Sequence, residues 1–130
     1  MKPYDGSVEL IRHLRRQGFK IAVATSSRNC DTVLRAAKLD AFFEVRVDGN
    51  TISAQRLGGK PAPDMFLAAA RLLGADPKRT VVVEDAISGV RAGANGGFGL
   101  VIGVARKGNA EELRRNGAHV AVGDLRELVG

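Results

Sequence analysis

The strongest constraint on this chain is its alternation of short apolar runs with amphipathic segments of about ten residues. Residues 19–24, 43–47, 80–83, 100–104 and 119–122 are runs of mostly valine, isoleucine, alanine and phenylalanine, read as buried strands. Between them, residues 7–17 place Val8, Leu10, Ile11 and Leu14 on one helical face, and Gly18 is a natural stop. Residues 28–38 give a second helix with Val33, Leu34 and Ala37 inward. Residues 48–59, with three glycines, read as a turn-rich loop. Pro63 and Asp64 open a helix through Leu73 that Gly74 ends. A helix rich in small residues spans 87–94, where Gly89 and Gly93 let it lie close on the sheet. Asn109 and Glu112 form a capping-box pattern for a helix ending before Gly117, and residues 125–129 make a short terminal helix. Strands alternating with helices dictate a parallel sheet covered on both faces, a three-layer α/β sandwich. In such sheets ligands bind at the carboxyl ends of the strands, so strand-end residues carry the functional information.

Composition narrows the classes further. With 130 residues there is room for one domain, residues 1–130, and one modest core. Apolar residues at 45% and charged residues at 26% match an ordinary globular protein. No apolar run approaches the roughly 18 residues of a membrane span, and MKPYDGSVEL lacks the apolar stretch of a secretory signal. The single cysteine, Cys30, cannot form an internal disulfide, which fits a reducing cytoplasm. The net charge of +6 would suit a nucleic-acid partner. Its arginines and lysines are dispersed, however, with almost no aromatics among them to stack bases, and they read as solvated helix faces.

Three strand ends stand out. In IAVATSSRN (residues 21–29), Thr25, Ser26 and Ser27 follow a strand and precede a helix, where hydroxyls and free N–H groups can receive a phosphoryl group. The same residues would also serve as a plain helix cap. In GGKPAPD (58–64), Lys60 sits between flexible Gly58-Gly59 and stiff Pro61-Ala62-Pro63, placed to neutralise a phosphoryl group or a carboxylate. A solvated loop lysine is the plainer alternative. In VVVEDAISG (81–89), three valines run into Glu84 and Asp85. Adjacent carboxylates there repel unless a cation or strong donor is present, and Mg²⁺ binds through one or two carboxylates, waters and phosphate. The plainer alternative makes Asp85 a helix cap with Glu84 in water. Neighbours on a strand point oppositely, so Asp85 is the favoured ligand.

The order of these segments resembles motifs two, three and four of the haloacid dehalogenase superfamily. GKPAPDMFLAAARLLG and VVVEDAISGVRAG are similar to its β-phosphoglucomutase-like branch and to related phosphatases. The resemblance runs from Pro3 to about Leu128. It implies a HAD-like, Rossmann-like sheet and Mg²⁺-dependent phosphoryl transfer, as a phosphatase or phosphomutase, on a small phosphorylated metabolite such as a sugar phosphate. Carried over position by position, Thr25, Ser26 and Asn29 bind phosphate or substrate, and Arg28 lies where sugar-phosphate branches recruit substrate contacts. Lys60 is the catalytic lysine, and Asp85 with Glu84 holds magnesium. A response-regulator receiver shares these residue types, but its acidic pair precedes its lysine, the reverse of the order here.

In the family, a nucleophilic aspartate and a second acid two residues later form an N-terminal DxDG(T/V)-type motif, and the reaction runs through an aspartyl-phosphate. This sequence contains no such motif: Asp5 lies in PYDGSVELI, and VRVDGN around Asp48 has one acid where two are required. The resemblance therefore implies a partial core domain, the portion after the cap, whose central first strand is missing from between the strands ending at Thr25 and Asp85. The chain alone is expected to be inactive, with an N-terminal half or self-association completing the sheet. The rival reading is a non-catalytic α/β binding or interaction module. Substrate identity, and mutase against phosphatase, depend on the acid/base and the cap.

Overall fold

The computed structural model describes residues 5–24, 43, 45–105 and 107–128. Helix α1 spans Asp5–Arg16, followed by β1 (Ala22–Ala24), β2 (Val45–Val47), α2 (Gly49–Gln55) and α3 (Asp64–Leu73). Then come β3 (Val81–Glu84), α4 (Ile87–Asn95), β4 (Leu100–Val104), α5 (Ala110–Arg115) and β5 (Val120–Val122). Short 3₁₀ turns occupy Pro77–Arg79 and Leu125–Leu128, the latter where an ordinary helix was expected. The expected helix over 28–38 lies outside the described residues.

Among the described residues every strand pairing is parallel, and the strands form two pieces, β1–β2 and β3–β4–β5. Strand alternation assigns the two faces. Val82 and Val101 pack with Ala70 of α3, Val90 of α4 and Leu113 of α5 on one side. Ile102, Val104 and Val122 pack with Leu10 and Leu14 of α1 on the other. Helix α3 joins the pieces, since its Met65, Ala68 and Ala69 cover β1–β2 through Val47, Ala22 and Ala24. The expected three-layer α/β arrangement is present.

On β3 the alternation exposes a defect. Val82 is buried, whereas Val81 and Val83, on the α1 side, are 47% and 38% exposed. Among the described residues β3 pairs only with β4, so it is an edge strand of its piece. Exposed apolar side chains on an edge with unpaired ladder groups are uncommon in a self-sufficient domain.

Three local expectations need correction. Strand β1 is shorter than 19–24, because Phe19 N–H donates to Leu14 O in the turn that ends α1, leaving Phe19 54% exposed. Residues 49–55 are helix rather than loop. Asp48 caps it, its Oδ1 accepting from Asn50 N and Thr51 N, while Thr51 Oγ1 accepts from Asp48 N. That reciprocal cap outweighs the turn preference of glycine and asparagine. Conversely, Asn109 is the cap of α5 but makes no side-chain capping bond. Gly93 does bring α4 onto the sheet: a Cβ there would lie 3.0 Å from Val101 Cγ2 and 3.3 Å from Val82 Cγ1.

Candidate active site

Lys60 reaches the strand end from a loop fastened at several points. Gly58 N–H donates to Asp64 Oδ2 at 2.8 Å and Ala62 N–H to Gly59 O at 3.0 Å. From α4, Asn95 Nδ2 donates to Pro61 O at 3.0 Å. The Lys60–Pro61 peptide bond is cis. Ordered on both sides, the loop delivers Lys60 Nζ to Glu84 Oε2 at 2.8 Å. The ammonium also lies 5.2 Å from the centre of the Phe66 ring, which stands edge-on to Phe98. The Lys60 side chain is 21% exposed and that of Glu84 13%. A cation so placed has shed most of its water and is held by a carboxylate and a ring face.

Glu84 lies at the carboxyl end of β3 and uses both oxygens. Oε1 accepts from Asp85 N at 3.2 Å and from Ala86 N at 3.3 Å, and Oε2 accepts from Lys60. The backbone amides and the ammonium offset the desolvation of the carboxylate. Asp85 is exposed beside it and is not the helix cap; Ala86 holds that position, without a side-chain bond. The plainer reading of the acidic pair, a capping Asp85 with Glu84 in water, therefore fails.

Two of the three motifs thus meet, Lys60 on Glu84-Asp85. The third, Thr25 and Ser26 with Arg28 and Asn29, lies outside the described residues, one residue beyond the end of β1. Phe66 under the ammonium and Asn95 gripping the loop have no local signal in the sequence. Both arise from α3 and α4 packing against the strand, although Phe66 six residues after Lys60 is a spacing that one helical turn beyond a proline could reach.

The metal question turns on donors. Among the described residues no group of three or more His, Cys, Asp or Glu side chains converges to hold an ion. Asp85 is one exposed carboxylate just past the carboxyl end of β3, and both oxygens of Glu84 accept hydrogen bonds. This half-fits magnesium, which accepts one or two protein carboxylates and completes its shell with water and phosphate.

The sequence profile of the haloacid dehalogenase-like hydrolases matches residues 1–97. The chain belongs to that family. A β-phosphoglucomutase from Mycobacterium bovis is 46% identical over 129 residues, which cover 97% of this chain and 49% of the relative. A trehalose-phosphate phosphatase from Mycobacterium leprae is 40% identical over 131 residues, covering 98% of this chain and 29% of the relative. The crystal structure of a HAD family hydrolase from Deinococcus radiodurans, with bound phosphate and sodium, superposes with a TM-score of 0.83 at 32% identity, covering 96% of this chain and 56% of that one. The fold is HAD-like, and the kinship lies in the β-phosphoglucomutase-like branch. The chain spans half or less of the length of these two curated relatives. No helix among the described residues is long and apolar enough to cross a membrane.

Proposed function

We propose that this chain contributes the lysine, metal and phosphate-binding elements of a magnesium-dependent phosphoryl-transfer enzyme of the cytoplasm. Its substrate would be a small phosphorylated metabolite such as a sugar phosphate. The observation that carries the reading is the fixed Lys60 ammonium at the carboxyl end of β3, 2.8 Å from Glu84 and adjacent to exposed Asp85. A preorganised cation in a partly water-excluded site stabilises charge developing on transferring phosphoryl oxygens. The β-phosphoglucomutase and trehalose-phosphate phosphatase relatives, and the phosphate bound in the Deinococcus hydrolase, support a phosphorylated ligand.

In this scheme Asp85 would hold magnesium, which when bound supplies charge neutralisation at the phosphoryl oxygens. Glu84 joins it only by giving up part of its hold on Lys60 or the amides. Thr25 and Ser26 would receive the phosphate, and Arg28 and Asn29 the rest of the substrate. Lys60 neutralises the phosphoryl group. The nucleophile would come from a polypeptide segment whose strand pairs with the open edge of β3, supplied as an N-terminal half or by a second chain. The exposed Val81 and Val83 support that docking.

Nuclear magnetic resonance titrations of the chain with Mg²⁺ and inorganic phosphate test the reading. Millimolar Mg²⁺ should shift the amides of Glu84 and Asp85, and the Asp85→Asn variant should lose that response. Phosphate should shift Lys60. Absence of any response at these three residues would overturn the proposal.

A further inference from the structure

Gly89 is the third residue of α4, and nothing about its backbone requires glycine, since its φ is not positive. Glycine inside a helix weakens it relative to alanine. The compensation lies in what occupies the space beside it. A Cβ on Gly89 would overlap Cγ, Cδ and Oε2 of Glu84. The Glu84 side chain therefore folds back across the first turn of α4 through the site that any other residue's Cβ would fill. Along that path Oε1 meets the amides of Asp85 and Ala86 while Oε2 meets Lys60.

We propose that Gly89 is a positioning residue for Lys60, acting through Glu84. The missing Cβ selects the Glu84 rotamer, and that rotamer sets where the ammonium stands. With alanine at 89, Glu84 swings away from the helix, its two amide bonds and its bond to Lys60 break together, and the lysine keeps only the face of Phe66. The same helix grips the lysine loop at its other end through Asn95 and Pro61 O. Helix α4 thus fixes the lysine from two directions, with Gly89 governing the electrostatic one. The importance of the lysine rests on the function proposed above, but the lock itself is a matter of geometry.

The test uses four versions of the chain: unaltered, Gly89→Ala, Glu84→Ala and the double variant. Two quantities are read, the melting temperature and the rate at which an amine-acylating reagent labels Lys60 relative to exposed Lys78. Gly89→Ala should lower the melting temperature when Glu84 is present. It should raise it in the Glu84→Ala background, where only the better helix former remains. Labelling of Lys60 should increase roughly five-fold or more in Gly89→Ala, the factor expected when one modest ion pair is lost. It should increase no further in the double variant. If Gly89→Ala fails to fold, a double variant that folds at least as stably as Glu84→Ala supports the lock, and one that also fails overturns it. The same sign of the Gly89→Ala effect in both backgrounds, or unchanged Lys60 labelling, also overturns it. None of these readouts involves phosphate or metal, so the lock and the phosphoryl-transfer reading can fail separately.

Discussion

Replacing Lys60 by methionine removes the ammonium while keeping most of the stem that lies over Phe66. What is lost follows from the geometry. Fully exposed ion pairs are worth about 0–1 kcal/mol, whereas removing one partner of a fully buried pair costs about 3–5 kcal/mol. The Lys60–Glu84 pair, with side chains 21% and 13% exposed, lies between these limits. A hydrogen bond to a charged group contributes about 1.5–3 kcal/mol, and Glu84 keeps its two amide donors after the change. The expected loss is therefore about 2 kcal/mol. For a chain of 130 residues that corresponds to a fall of roughly 6–12 °C in melting temperature.

Urea and thermal melts of Lys60→Met, Glu84→Gln and the double variant form a cycle that isolates the pair. The single changes should be strongly non-additive, with a coupling of about 1–2 kcal/mol. A coupling below about 0.5 kcal/mol would mean that water screens the pair as it does a surface contact. Lys60 would then be a loop lysine with no fixed position, and no preorganised cation would stand at the end of β3.

Further outcomes are expected elsewhere. His119→Ala should cost about 1–3 kcal/mol by chemical denaturation, because His119 Nδ1 accepts the N–H of buried Val101 at 2.9 Å and alanine leaves that donor unpaired. Gly99→Ala should cost about 1–3 kcal/mol, since its Cβ would overlap the Lys78 carbonyl, and backbone cannot yield as a side chain can. Mixed with Mg²⁺ and sugar phosphates, the chain alone should release no significant phosphate. Robust release that Asp85→Asn abolishes would reveal a nucleophile that the sequence does not announce.

The order of elements was legible because apolar runs and helix stops are local signals. Residues 100–104 form the strand that their sequence predicts, and Asp64–Leu73 ends at Gly74, whose φ of 69° suits glycine. Lys60 stood out through the prolines and glycines around it, and the structure holds it as that punctuation suggests. What escaped was decided by contacts between distant segments. Gly89 read as a packing residue like Gly93, yet the first is filled by a carboxylate side chain and the second by valines of the sheet. His119 closes the ladder beside β4, its Nδ1 accepting the Val101 N–H, a role visible only once β4 and β5 are in register. The helix at 49–55 is obscured in the sequence by the turn preference of its glycine and asparagine, which the Asp48–Thr51 capping pair overrides.

Strand β3 connects stability to function. Its inward residue, Val82, is buried beneath α4, and its last residue, Glu84, fixes the lysine. Its other face presents two valines to water, and full burial of such a side chain contributes about 1.5–3 kcal/mol. A parallel strand laid on the edge of β3 that has no partner among the described residues would extend the ladder, and whatever covered Val81 and Val83 would recover part of that energy. In the proposed enzyme, the strand that docks there also ends beside Glu84 and Asp85, because parallel neighbours share a carboxyl end. A carboxylate at its tip would then face the Lys60 ammonium and the exposed Asp85 together. In that scheme the contact that stabilises the sheet would also assemble the charges of the site. Val81→Thr with Val83→Thr separates the two effects. It preserves strand propensity and should change the stability of the chain alone by no more than about 0.5 kcal/mol, while weakening capture of a completing strand.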